Sequence, residues 1–285
     1  MEVKTIGVVG AGIMGSGIAQ VAASANYDVT IQDIAQSASD KAIATVRLSL
    51  GRFVKKGKLD EQGAAEILNR IQTTPDLHTA VSEADYIIEA VTEDLDLKLR
   101  VFEEMDKIAP QHAIIASNTS QYSITELASA TGRPAQIIGT HFFNPPVIMR
   151  LIEVVYGLET SEETTQATLE MARRMDKEVV MCKDSQGFIT SRLINLWLTE
   201  AERIFEEGIA TQQDIDKACR LAFNHPMGPF ELNDFSGLDT RLNIGLALEK
   251  ALGERFKPTQ TLHNLVRAGR LGRKSGRGFY DYPEK

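Results

Sequence analysis

Cysteine is scarce in this chain, and several signatures are missing altogether. There are two cysteines in 285 residues, Cys182 and Cys219, and they form no spacing motif, so a reducing interior is the simple expectation. Nothing resembles a zinc-ligand pattern or an EF-hand loop, which leaves no sequence basis for a metal centre. No apolar run approaches the roughly 20 residues needed to span a bilayer. The N-terminus enters an apolar segment almost at once, leaving no room for a signal peptide. A formal net charge of −8 argues against nucleic acid as a partner. These absences point to a soluble, cytoplasmic protein. What is present is ordinary for a globular fold: 43% hydrophobic and 25% charged residues, in a chain long enough for one large domain or two modest ones.

The first 33 residues organise the rest. Thr5-Ile6-Gly7-Val8-Val9 is apolar and β-branched, as a buried parallel strand should be. Gly10-Ala11-Gly12-Ile13-Met14-Gly15 follows directly and matches G-x-G-x-x-G, then a helix is expected over residues 13–25 and a second strand over 27–32. In this arrangement Gly10 makes the tight turn, Gly12 admits a pyrophosphate to the backbone, and Gly15 lets helix meet strand. The helix start offers unpaired N–H groups and a partial positive charge to the phosphates. Asp33, eighteen residues after Gly15, stands where a carboxylate accepts from a ribose 2′-hydroxyl. Ile34, Ala35 and Gln36 provide no arginine for a 2′-phosphate, so NAD is expected over NADP.

Helices are expected over residues 37–57 and 60–71, a hairpin that interrupts the alternation of strand and helix. Between Lys41 and Leu59 six basic residues occur (Lys41, Arg47, Arg52, Lys55, Lys56, Lys58) with no acidic one. On an acidic chain, such a run is either a solvated helix face or a contact for an anionic ligand such as the phosphates of a large acyl carrier. Strands then recur at 71–74, 85–90, 113–117 and 136–143, around helices at 95–108 and 123–131. This alternation implies a mostly parallel, doubly wound Rossmann-type sheet, with ligands outside the carboxyl ends of its strands. Gly10, Asp33, Glu93, Asn118 and His141 all stand at such ends.

A short strand at 151–156, a helix at 161–176 and a strand at 178–182 lead to a linker, Lys183-Asp184-Ser185-Gln186-Gly187. The expected division is therefore 1–183 for the dinucleotide-binding domain and 184–285 for an all-α domain, with one late strand at 278–280. The helix at 188–207 is apolar on more than one face, which predicts two buried contacts. Thr211-x-x-Asp214 opens the next helix as an N-cap with an acidic first turn. About 100 helical residues make a poor isolated core, and pairing of two copies is the natural remedy. His141 and Glu153 lie twelve residues apart around Asn144-Pro145-Pro146. If their strands adjoin, Glu153 can hold one imidazole nitrogen and raise the basicity of the other, the arrangement needed to take an alcohol proton. On spacing alone a purely structural histidine is the favoured reading.

Four separated motifs carry a resemblance. The glycine loop, Ser117-Asn118-Thr119-Ser120, His141-Phe142-Phe143-Asn144-Pro145 and His225-Pro226-Met227-Gly228-Pro229, running on to Gly276-Arg277-Gly278-Phe279-Tyr280, resemble the L-3-hydroxyacyl-CoA dehydrogenase family along essentially the whole chain. The likeness is strongest to its bacterial 3-hydroxybutyryl-CoA branch. It implies reversible, NAD-dependent oxidation of a 3-hydroxyacyl-CoA, in fatty-acid metabolism or β-oxidation. By resemblance His141 is the base, Glu153 its partner, Ser120 the hydroxyl on the reacting oxygen, and Asn144 the asparagine that follows the base. Gly10, Gly12, Ile13, Met14, Gly15, Asp33 and Asn118 fall on the cofactor, and Glu93 and Lys98 near its nicotinamide ribose. Ser49 and Lys56 fall where the hairpin meets CoA, and the C-terminal domain is the dimer interface.

Two departures bear on the acyl group: Gln121 stands where the family commonly has a second serine, and Ser191 stands where it has an asparagine. Two other readings stay open. One is a related NAD dehydrogenase of a sugar acid, of the gulonate type, although such a substrate needs only one cationic contact. The other is a catalytically silent NAD-binding protein of the crystallin-like kind, which has no reason to keep Ser120, His141 and Glu153 together.

Overall fold

The computed structural model describes residues 2–282, so residue 1 and residues 283–285, at the ends of the two expected domains, lie outside the described residues. The chain divides into two units, Met1–Ser185 and Gln186–Lys285. The first begins with β1 (Thr5–Val9), α1 (Ile13–Ser24), β2 (Asp28–Gln32), the hairpin α2 (Gln36–Lys55) and α3 (Glu61–Asn69), and β3 (Ile71–Thr74). It continues through α4 (Leu77–Val81), β4 (Tyr86–Glu89), α5 (Leu95–Ile108), β5 (Ile114–Ser117) and α6 (Ile124–Ala128). It ends with β6 (Ile137–Phe142), β7 (Leu151–Tyr156), α7 (Glu162–Arg174) and β8 (Glu178–Lys183).

The strands form one sheet in the order β3-β2-β1-β4-β5-β6-β7-β8. All neighbours are parallel except β6 and β7. The chain winds outward from β1 through β2 to β3, then returns to the other side of β1 as β4. That reversal between β1 and β4 makes the crevice where ligands of such sheets bind. The central strands are buried without alternation, β4 and β5 along their whole length, because helices cover both faces. Side-chain caps set the helix starts: Asp60, Asp76, Asp94, Ser123 and Ser161 each accept a backbone N–H of the first turn. The helix expected over 123–131 stops at Ala128, where the hydroxyls of Ser129 and Thr131 turn back onto the carbonyls of Glu126 and Ala128. Such side chains offer the backbone an alternative to helix.

The second unit is helical: α8 (Thr190–Glu206), α9 (Gln212–Phe223), α10 (Pro229–Ser236), α11 (Leu238–Leu252) and α12 (Gln260–Arg267). A small apolar core joins Ala201, Ile215, Phe230, Leu238, Leu242, Leu262 and Phe279. Of the apolar residues of α8, Leu198 and Ala201 are buried while Leu193 is 64% exposed, and the buried face also carries the polar Asn195, Thr199 and Glu202. The buried guanidinium of Arg241 donates to Asn195 Oδ1, Asn195 O and Thr199 Oγ1, and Glu202 accepts from Asn233 and Thr259. Burial pushes the Glu202 carboxyl up, against the pull of Arg241. The expected strand at 278–280 is absent. The N–H groups of Phe279 and Tyr280 donate to the Asp234 carboxylate at 2.8 and 2.9 Å, which takes the bonds a strand partner would have taken. Among the described residues, no helix is long and apolar enough to cross a membrane.

One buried bond in the first unit yields a stability prediction. The hydroxyls of Tyr86 and Thr168, both 0% exposed, lie 3.0 Å apart, and Thr168 donates to Thr164 O, so Tyr86 must donate to Thr168. Thr168→Val strands the phenol and should cost about 1–3 kcal/mol in urea unfolding. Adding Tyr86→Phe to that variant should recover part of the loss, because no unsatisfied donor then remains; a further loss would contradict the assignment.

Candidate active site

The glycine loop is shaped by close approach. Gly10 has φ +110°, and a Cβ there would stand 2.5 Å from Ala90 O; a Cβ on Gly15 would stand 1.8 Å from Gly10 O. Neither position admits a side chain. Gly12 is different, since a Cβ there would meet nothing of the protein within 4 Å. The chain's own packing gives no reason for glycine at this N-cap, and the approach of an outside group does. No side chain caps α1, so its first N–H groups remain for an anion. Asp33 does more than the sequence suggested. One carboxylate oxygen accepts from Ala11 N–H at 3.0 Å and the other from Ala35 N–H at 3.1 Å, which braces the loop from β2. These features fit a dinucleotide. Ile13, 72% exposed at the start of α1, and half-buried Met14 complete the loop.

His141 and Glu153 face each other across the antiparallel pair β6 and β7. His141 Nδ1 lies 2.7 Å from Glu153 Oε2, with the two residues 7% and 0% exposed. An ionised carboxylate only accepts, so the proton of that bond sits on Nδ1, and Nε2 is the basic atom of the neutral ring. The rings of Phe143 and His141 pack with centroids 4.5 Å apart. Asn118, at the end of β5, accepts from Phe142 N–H at 3.0 Å and ties the two strand ends together.

Glu93, beyond β4, gathers the loop after β5. It accepts from Ser120 N–H at 2.8 Å, Ser120 Oγ at 3.2 Å and Thr119 Oγ1 at 3.0 Å. Ser120 is thus held through both its amide and its hydroxyl. Lys98 is 1% exposed, its ammonium 2.7 Å from Glu89 and 3.4 Å from Glu93, so it lies beneath Glu93. Burial raises the Glu89 carboxyl, opposed by Lys98 and the Ser117 hydroxyl. Glu89 was missed in the sequence, although a carboxylate closing the apolar strand Tyr86–Glu89 was the available signal.

A cavity of about 480 Å³ brings together α1, α2 and the turn after β6. Ser49 and Lys56 line it, as do Ile13 and Asn144. Of the basic run, Arg52, Lys56 and Lys58 line it; Lys41, Arg47 and Lys55 do not, and belong to the solvated face. Arg52 was not singled out by sequence, and its position one turn before Lys56 on the same helix was the signal. Ser191 lies in the second unit, buried in the first turn of α8, where its carbonyl accepts from Asn195 Nδ2 at 2.7 Å.

Comparison with known proteins matches both units of the chain. The NAD-binding domain of 3-hydroxyacyl-CoA dehydrogenase matches residues 5–185, and the C-terminal domain of 3-hydroxyacyl-CoA dehydrogenase matches residues 187–282. The chain is 44% identical to a probable 3-hydroxybutyryl-CoA dehydrogenase of Bacillus subtilis, over 100% of this chain and 99% of that protein. Among solved structures it is similar to FadB2 of M. tuberculosis, at 40% identity and a TM-score of 0.97, covering 99% of this chain and 100% of that one. It is likewise similar to the (S)-3-hydroxybutyryl-CoA dehydrogenase PaaH1 of Ralstonia eutropha, at 40% identity and a TM-score of 0.95 with the same coverage. With both domains matched in order and the glycine loop and the His141–Glu153 pair built as described, the chain belongs to the 3-hydroxyacyl-CoA dehydrogenase family.

Proposed function

We propose that this enzyme oxidises the 3-hydroxyl of a short-chain (S)-3-hydroxyacyl-CoA, such as 3-hydroxybutyryl-CoA, to the 3-oxoacyl-CoA, reversibly and with NAD. The observation that carries the reading is the His141–Glu153 pair, set in the same sheet as a glycine loop that Asp33 braces. The relatives named 3-hydroxybutyryl-CoA dehydrogenase support the acyl length. Gly10 to Gly15 and Asp33 would hold the cofactor, which when bound supplies the hydride acceptor. His141 Nε2 takes the proton of the 3-hydroxyl, and the Glu153 carboxylate stabilises the imidazolium that results. Ser120 donates to the reacting oxygen, turning its hydroxyl from Glu93, while the bond from its amide to Glu93 holds the loop still. Asn118 and Glu93 face the nicotinamide end, and Asn144 follows the base at the mouth of the cavity. Ser49, Arg52, Lys56 and Lys58 meet the CoA moiety. Ser191 remains assigned to the substrate on the resemblance alone.

We extend the reading to a cytoplasmic homodimer joined through the helical unit. Support comes from the apolar side chains that this unit leaves exposed: Leu193, Leu221, Phe223 and Leu246.

The direct test is NADH absorbance on mixing with acetoacetyl-CoA: steady loss is expected, and a flat trace would refute the substrate class. His141→Ala should lower kcat by about 10²–10⁴-fold with NADH affinity nearly unchanged. Lys56→Ala should raise KM for acetoacetyl-CoA at constant kcat, the sign of lost uniform binding. An equal effect on a pantetheine ester, which lacks the nucleotide phosphates, would place the contact elsewhere. Asp33→Asn should weaken NADH more than NADPH in a fluorescence titration at fixed salt, because the wild-type carboxylate repels a 2′-phosphate; equal weakening would assign Asp33 to loop bracing only.

A further inference from the structure

Beneath the loop that carries Ser120, Glu89 and Lys98 form a buried pair that the proposed chemistry does not use. Glu89 is 0% exposed, at the end of β4, and its carboxylate is fully engaged. Oε1 accepts from Lys98 Nζ at 2.7 Å and Val91 N–H at 2.8 Å, and Oε2 accepts from Ser117 Oγ at 2.6 Å. The ammonium of Lys98 lies 3.4 Å from Glu93 Oε2, so one buried cation is shared unequally by two carboxylates. The more distant carboxylate is the one that fixes Ser120. A buried ion pair of this kind is weak evidence for stability in itself, and its value is better sought in what it specifies.

We propose that Glu89 is a positioning residue for the active site: by holding the Lys98 ammonium at 2.7 Å it keeps Lys98 from closing on Glu93, and so leaves Glu93 to fix the amide and hydroxyl of Ser120. Without the Glu89 charge, Lys98 has one carboxylate left. It moves to Glu93, the contact shortens, and Glu93 withdraws from Ser120. Three supports converge on this carboxylate, from the loop after β4, from α5 and from β5, which gives Glu89 a fixed place from which to hold Lys98. The inference rests on the reading above only for the part played by Ser120 in the reaction.

The test uses Glu89→Gln, which keeps shape and removes charge, with two readouts. Hydrogen exchange at the Ser120 amide should speed up about tenfold, while amides inside β4 and β5 keep their protection. Unchanged exchange at Ser120, or general loosening of both strands, overturns the proposal in favour of a purely structural pair. In steady-state kinetics kcat should fall on the order of 10- to 100-fold, the scale of a small misplacement of a catalytic group. Ser120→Ala combined with Glu89→Gln should then lose no more than Ser120→Ala alone, to within about twofold; multiplied losses overturn the proposal. If Glu89→Gln fails to fold, Glu89→Gln combined with Lys98→Met removes both buried charges, and exchange at the Ser120 amide should then stay at the wild-type rate; faster exchange in that variant overturns the proposal. An enzyme inactive on acetoacetyl-CoA would sink the substrate reading, while the exchange measurement would still decide the role of Glu89.

Discussion

Everything at the candidate site depends on one strand pairing, the antiparallel register of β7 against β6. The other strand ends in this sheet point their ligand groups out of the carboxyl edge. β7, which with β8 runs opposite to the other six strands, brings a mid-strand residue, Glu153, opposite His141. Because side chains alternate in a strand, a slip of one residue would send Glu153 to the other face and put an apolar neighbour beside the imidazole. Both faces of β7 are buried, with Ile152, Val154 and Val155 each 0% exposed, so apolar burial alone fits either register and the buried charge of Glu153 is what opposes the slip. The same burial makes the glutamate pay its desolvation through the histidine. Packing and chemistry are specified by the same six residues.

The sequence made the parallel half of the fold legible because its signals are local. Apolar β-branched runs, a glycine turn of fixed spacing and acidic or hydroxyl caps each act within a few residues. The start of the hairpin, the mostly parallel, doubly wound sheet and the helix at Leu95–Ile108 followed from such signals. The helical unit was less legible because its ordering interactions are long in sequence. Arg241 reaches back to Asn195 and Thr199, and Asp234 reaches forward to Phe279 and Tyr280, so no window of residues around either end reveals the bond. The strand expected at 278–280 failed for this reason: its β-like composition was read without the carboxylate that claims its N–H groups.

At the site the difference is similar. Residue types and spacing pointed to the glycine loop and to Asp33, each at an element end that the pattern itself defines, whereas the pairing of His141 with mid-strand Glu153 was carried by the resemblance. The brace from Asp33 to Ala11 and the linkage from Glu89 through Lys98 to Glu93 were hidden, because they join elements through side chains whose direction a pattern does not give. Lys98 shows the limit well. The resemblance set it near the nicotinamide ribose without saying how deep it lies, and packing put it among the most buried side chains of the first unit.

That burial has a chemical corollary. A primary amine at 1% exposure, held in a 2.7 Å ion pair, is shielded from acylating and reductive-alkylating reagents as long as the fold is intact. The amines of Lys56 and Lys58 stand in the open on the hairpin, within reach of the same reagents. Peptide mapping of a lightly modified sample therefore separates two populations of lysine in one molecule. Label on the hairpin reports ligand coverage, whereas label on Lys98 counts only the chains in which α5 has come away from the sheet.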